Sequence, residues 1–165
     1  MIMPGIKGAG YPFNAGSARI CAVRTWRDPE LIKRLLTTPA TWAVVGLSAN
    51  TKRTAYSIAH YLRDQLGMRI VPVNLRAEDA LGEQGYRQLA DVPGPVQVVD
   101  CFVNSQRVGA VVDQAIAEKD RLGIKAVWLQ LEVIDEAAAE RARAAGLDVV
   151  MDTCPAMEAP NLDAT

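Results

Sequence analysis

Residues 42–74 read WAVVGLSANTKRTAYSIAHYLRDQLGMRIVPVN. The segment opens on an apolar run ending in Gly46-Leu47 and passes through a polar loop. It then sets Ile58, Leu62 and Leu66 at helical spacing and closes on a second valine- and isoleucine-rich run, Arg69–Val73. A run that is apolar on both alternating positions suits a strand buried on both faces, and a three-to-four-residue apolar repeat suits a helix that covers one of them. Strand, helix and strand in about thirty residues make a βαβ unit, whose two strands lie parallel.

The alternation continues outward. Further strands are expected at Val96–Val103, Ile124–Gln130 and Leu147–Met151, and helices at Thr54–Leu66, Ser105–Arg121 and Asp135–Ala145, with Gly67, Gly123 and Gly146 placed to end them. Upstream, Asp28-Pro29-Glu30 reads as an N-cap, a proline at the first helical position and an acid in the first turn, so a short helix should run to about Thr38-Pro39. The segment Leu81–Asp91 offers only a short edge strand near Gly85-Tyr86, and Pro72 suits an edge or a strand end. The expected fold is α/β: a Rossmann-like open parallel sheet of five to six strands with helices on both faces and the Trp42–Leu47 strand at its centre. Residues 28–158 should form this domain, residues 1–27 a disordered extension and residues 159–165 a tail.

Composition narrows the function classes. Across 165 residues, 18 Lys and Arg nearly balance 19 Asp and Glu, so no overall field draws the chain onto nucleic acid or an anionic membrane. Half of the residues are apolar, yet no run approaches the ~20 that a membrane helix needs, so the protein is expected to be soluble. Cys21, Cys101 and Cys154 stand far apart without a Cys-x-x-Cys pair, so neither a zinc site nor a disulfide framework is readable, and a reducing cytoplasm fits. The first 27 residues carry Lys7, Arg19, Arg24 and Arg27 with no acid, and their apolar stretch Ile20–Val23 is too short for a secretory signal.

In an open parallel sheet, ligands bind beyond the carboxyl ends of the strands where the strand order reverses. The loops after Leu47, Val73, Val103, Gln130 and Met151 are therefore the places to look. The first loop offers Gly46, Ser48, Asn50, Lys52 and Arg53 at a helix start, where outward N–H groups and two cations suit a phosphate. It is neither G-x-G-x-x-G nor a P-loop, because Gly46 is its only glycine. After the second strand, Asn74 and Arg76 stand where an NAD-binding domain carries an acid, which favours a phosphorylated ribose, as in coenzyme A or NADP. Phe102 and Val103 could line a slot for a flat ring, Asn104 follows them, and Ser105 can cap the next helix. Cys154, before Pro155, is either a buried thiol or one placed to form a mixed disulfide with a bound thiol. His60 falls on the solvent side of its helix, and Asp100, Glu132 and Asp152 have no identifiable base beside them, so no catalytic set is read.

Taken together, these pieces resemble the CoA-binding family related to the amino-terminal domain of succinyl-CoA synthetase alpha subunits. The resemblance spans about Trp42 to Glu158 and rests on Trp42–Ser48, Arg53, Val71–Asn74, Leu81-Gly82-Glu83 with Tyr86, and Val99-Asp100 with Phe102 and Asn104-Ser105. It continues through Val127–Leu131, Ala144–Leu147, Val149–Asp152 and Cys154-Pro155. It implies that the first loop holds CoA phosphate, that the second-strand loop approaches the adenosine phosphate and that Phe102 to Ser105 help bed the nucleotide. The chain departs from the family where Thr51 replaces a proline, Ala55 a serine, Val103 an arginine, Glu132 a glycine and Thr153 an arginine. The expected function is a non-catalytic CoA or acyl-CoA binder acting as carrier, sensor or regulator on a small-molecule nucleotide ligand, with a homodimer left open. The alternatives are an NADP-dependent reductase and an interaction domain that has lost its ligand.

Overall fold

The computed structural model describes residues 25–162. Its elements are α1 (Pro29–Thr37), β1 (Thr41–Val45), α2 (Thr54–Asp64), β2 (Arg69–Val73), β3 (Val98–Cys101), α3 (Val108–Leu122), β4 (Ala126–Leu129), α4 (Glu136–Ala144), β5 (Asp148–Val150) and α5 (Pro155–Glu158). The five strands pair in parallel in the order β2-β1-β3-β4-β5. β1 is therefore an interior strand but not the middle one; that place belongs to β3. The sixth strand expected near Tyr86 is reduced to one bridge between Val73 and Tyr86. Pro72 is the reason. Its carbonyl accepts from Tyr86 N on the outer side of β2, at 3.0 Å, so its missing N–H also faces outward and the ladder cannot extend there.

The helices change faces where the strand order reverses. α2 links β1 to β2 in one direction, while α3 and α4 link β3 to β4 and β4 to β5 in the other. Crossovers of one hand then place α2 opposite α3 and α4. On one face Ala43, Val99 and Val127 meet Val112 and Ala115 of α3 and Ala139 and Ala142 of α4. On the other, Trp42, Val44 and Trp128 meet Leu31, Ile32 and Leu36 of α1 and Ile58, Ala59 and Leu62 of α2. Both faces are apolar because both are covered. After β5 the chain turns back over this second face: Trp128 Nε1 donates to the Thr153 carbonyl at 2.8 Å, and α5 packs against α2.

The expected boundary at residue 28 falls inside the packed structure. Trp26 is buried in the first core, its carbonyl accepts from Met151 N at 3.0 Å and the Arg143 guanidinium lies 4.0 Å from its ring centre. Arg27 donates to the carbonyl and the carboxylate of Asp152. Residues 1–24 and 163–165, most of the expected extension and part of the tail, lie outside the described residues. Among the described residues no helix is long and apolar enough to cross a membrane.

One ionisable group is enclosed in the sheet. Asp100 of β3 is fully buried beside Trp128 in register. Gln130 Nε2 donates to its Oδ1 at 2.6 Å, while Oδ2 has no partner among the described residues. Burial pushes its carboxyl up to about 7, against the smaller opposing effects of the hydrogen bonds from Gln130 and Cys101. The unfolded chain releases this proton near 3.8 and the folded chain near 7, so the stability that the protonated acid gives is complete below the lower value. It is lost as pH rises toward the upper one, with a slope approaching about 1.4 kcal/mol per pH unit. Asp100→Asn is therefore expected to flatten the urea-midpoint profile between pH 4 and about 7 and to raise stability at pH 8. An unchanged profile would show that the carboxyl titrates normally.

Candidate functional site

The loops after β1 and β3 meet at the reversal of strand order. Gly46 has φ +102°, and a Cβ built on it would stand 2.4 Å from the Phe102 carbonyl oxygen. No side chain fits that approach. Gly46 N donates to Val73 O at 2.7 Å and Phe102 N to Val45 O at 2.8 Å, so the last turn of the ladder holds three loops together. Asn74 adds a second clasp. Its Nδ2 donates to Leu47 O and Glu78 O, both at 2.9 Å, and its Oδ1 accepts from Arg76 N and Glu78 N. The expected ligand residue Asn74 thus spends both amide hydrogens inside the protein and fixes the shape of the second-strand loop against the first.

Helix starts differ in a consistent way. α1 is capped by Asp28 and α4 by Asp135, each with a glutamate in the first turn. α2 and α3, which begin at the loops flanking the reversal, have neither a side-chain cap nor a first-turn acid. At α2 the first N–H groups, those of Thr54 and Ala55, and the partial positive charge of the helix start remain available to an anion, whereas at α3 Val108 N donates to Asn104 O at 3.0 Å and Ala110 N to Arg107 O at 3.2 Å. The α2 loop adds Lys52 and Arg53, both exposed and without an ion-pair partner among the described residues. Between Gly46 and Arg53 there is no acid at all.

The other candidates fall around this point. Ser48 Oγ accepts from Asn50 N at 3.4 Å and Asn50 Oδ1 from Lys52 N at 3.1 Å, which shapes the loop that presents Lys52 and Arg53. Arg76 is 85% exposed and 3.7 Å from Glu78. Phe102 is half-buried against the second core and Val103 against the first. Asn104 Oδ1 accepts from Arg107 N at 3.0 Å and so turns the chain into α3. Ser105 does not cap that helix, which begins three residues later than expected. Its hydroxyl donates to Glu132 O at 3.3 Å and accepts from Ile134 N at 3.0 Å, tying the third loop to the fourth. Cys154 is half-buried at the start of α5, against the second core and on the helix that packs against α2. His60 is exposed and 3.0 Å from Asp64. The Cys101 thiol is fully buried, and burial first and Asp100 second push it up, away from the reactive thiolate.

Arg107 is the N-cap residue of α3, a place outside the helix that its apolar spacing does not predict. The conformation of Glu132 likewise has no signal in its residue type. This residue has φ +67°, which explains why a glycine is the expected occupant; Asp152 holds the turn by accepting from Glu132 N at 2.7 Å.

Gly46→Ala is expected to lower stability by at least about 1–3 kcal/mol, the usual size of local backbone strain, because the methyl group meets the Phe102 carbonyl. A thermal melt within a degree of the parent would mean that the two loops part easily.

Comparison with known proteins agrees with this geometry. A family model described as a CoA binding domain matches residues 40–160. The chain is 31% identical over 123 residues to Uncharacterized protein YneT of Bacillus subtilis, covering 74% of this chain and 87% of that protein. It is 29% identical over 85 residues to the alpha subunit of ADP-forming acetate-CoA ligase II of Pyrococcus furiosus, of which it spans only 18%. Among solved structures, a hypothetical protein from Pyrococcus horikoshii OT3 superposes with a TM-score of 0.74 at 33% identity, covering 82% of this chain and 92% of that one. With the parallel sheet, the reversal between β1 and β3 and the family match over most of its length, this chain belongs to the CoA-binding domain family.

Proposed function

We propose that the protein binds coenzyme A or an acyl-CoA at the carboxyl edge of its sheet and holds it without turnover, as a carrier, sensor or regulator. The observation that carries the reading is the uncapped start of α2, at the reversal and following an acid-free loop that bears Lys52 and Arg53. Backbone N–H groups of that loop, with Ser48, Asn50, Lys52 and Arg53, would hold phosphates; Arg76 would meet the ribose phosphate and Phe102 the nucleotide's flat surface. A bound coenzyme A supplies a thiol that carries acyl groups as thioesters. The family match supports this ligand, and so does the name of the acetate-CoA ligase relative.

A binding role is supported by where the reactive groups are. His60 pairs with Asp64 on the exposed face of α2, Asp100 is sealed within the sheet and Cys101 is buried. The NADP-dependent reductase draws support from Arg76 alone, since Asn74 is committed to the loops. Calorimetry and thermal shift with CoA, NADP and ADP separate these readings, because a ligand bound only by the folded state raises its melting temperature. CoA is expected to give the largest rise and an affinity that weakens with salt, and Arg53→Ala is expected to cost about 1–3 kcal/mol of binding. No shift with CoA, or an Arg53→Ala variant that binds as tightly as the parent, would overturn the assignment of this loop.

Incubation with acetyl-CoA and NADPH is expected to release no free thiol and consume no NADPH. Steady release that is abolished by Cys154→Ser would instead make the protein an enzyme with a cysteine nucleophile. A single stoichiometric mass increase reversed by reductant would mark a mixed disulfide with CoA, which is compatible with storage or signalling.

A further inference from the structure

The loops of the carboxyl edge differ in charge. Those after β1 and β3, residues 46–53 and 102–107, carry Lys52, Arg53 and Arg107 with no acid, whereas Arg76 after β2 stands among Glu78, Asp79 and Glu83. The loop after β4, residues 130–135, contains no lysine or arginine but does contain Glu132 and Asp135. Asp135 is used as the cap of α4 and Asp152 is paired with Arg27, whereas the exposed Glu132 carboxylate has no partner among the described residues.

Two exposed apolar side chains share the loop after β4: Leu131 (46%) and Ile134 (49%). Single exposed leucines are ordinary on protein surfaces, but two in one fixed loop form a local apolar surface. Leu131 and Ile134 flank Glu132 in a loop held rigidly by Ser105 and Asp152. Adjacent strands lie about 4.8 Å apart, so this loop is two spacings, roughly 10 Å, from the loop of Lys52 and Arg53. An extended pantetheine arm with its phosphates at the first loop covers that distance. The two clefts of about 170 and 260 Å³ lie elsewhere, one beside Thr41 and Arg69 and one beside Asp28 and Arg143, and compete with this edge for neither charge nor position.

We infer that the Leu131–Ile134 loop is an acyl subsite selecting neutral, apolar acyl-CoA thioesters and rejecting those that end in a carboxylate. The inference rests on the reading of the same edge as the CoA site. Leu131 and Ile134 supply apolar surface to an alkyl chain, and Glu132 repels a terminal carboxylate.

The test is calorimetry on the full chain with CoA, hexanoyl-CoA and succinyl-CoA, with light scattering on the same samples. Hexanoyl-CoA is expected to bind at least about fivefold more tightly than CoA, because part of its chain leaves water. Succinyl-CoA is expected to bind no more tightly than CoA. Glu132→Gln should strengthen succinyl-CoA binding at least about twofold, and the Leu131→Ser/Ile134→Ser variant, checked for folding by its melt, should lose the hexanoyl preference while keeping its affinity for CoA. Equal affinity for hexanoyl-CoA and CoA, or succinyl-CoA binding as tightly as hexanoyl-CoA, overturns the acyl subsite and leaves CoA binding intact. A dimer that the double variant splits also overturns it, by showing that a second copy covers the patch. Failure of all three ligands to bind overturns the CoA reading itself.

Discussion

The passage of Gly46 beneath the Phe102 carbonyl is so close that a single added carbon would stand 2.4 Å from that oxygen. This approach brings the ends of β1 and β3 together where the sheet reverses its order, and the ladder bonds Gly46 N to Val73 O and Phe102 N to Val45 O extend it to β2. Once these three ends are in register, α2 and α3 must leave from neighbouring points on opposite faces. Their starts then face a common space. The positions of Lys52, Arg53 and Arg107 follow from that backbone arrangement and not from any contact between their side chains.

Polar groups in this protein are used in two distinct ways. Inside, Asn74 and Ser105 serve the loops themselves: the first ties the β1 and β2 loops, the second the β3 and β4 loops. Each removes candidate ligand-binding atoms and returns rigidity, so the edge is preorganised before any ligand arrives. Within the sheet, Asp100 and Trp42 each keep a buried polar atom without a partner among the described residues. Such atoms cost stability in an apolar interior. The neighbouring Gln130 offsets part of that cost for Asp100, and the Trp42 and Trp128 rings, 5.5 Å apart, pack the layer beside it.

The difference in charge between the loops after β1 and β3 and the loop after β4 has the same origin in the strand order. The loops of β1, β2 and β3 are adjacent although β2 and β3 are separated in sequence, and β4 and β5 extend the edge in one direction only. Charges scattered along the chain, balanced overall, become unbalanced along a line. A net charge of −1 at pH 7 conceals that field.

The sequence by itself determined the architecture and the edge on which to look. Apolar runs on both strand faces, helical spacing between them and turn residues after each helix allow little besides a parallel sheet covered on both sides, because each pattern is a local consequence of what is buried. Its candidate phosphate loop, with Lys52 and Arg53, is a signal carried by contiguous residues. Only the tertiary structure decided what depends on contacts between distant segments. Asn74 is a clasp because Leu47, 27 positions away, presents its carbonyl to it. Ser105 joins a loop 29 positions further on and does not cap its own helix. Trp26 belongs to the core because Arg143 and Met151 close over it. Pro72 ends the sheet at five strands because its missing donor faces outward, and no local pattern states which way a strand's edge will face.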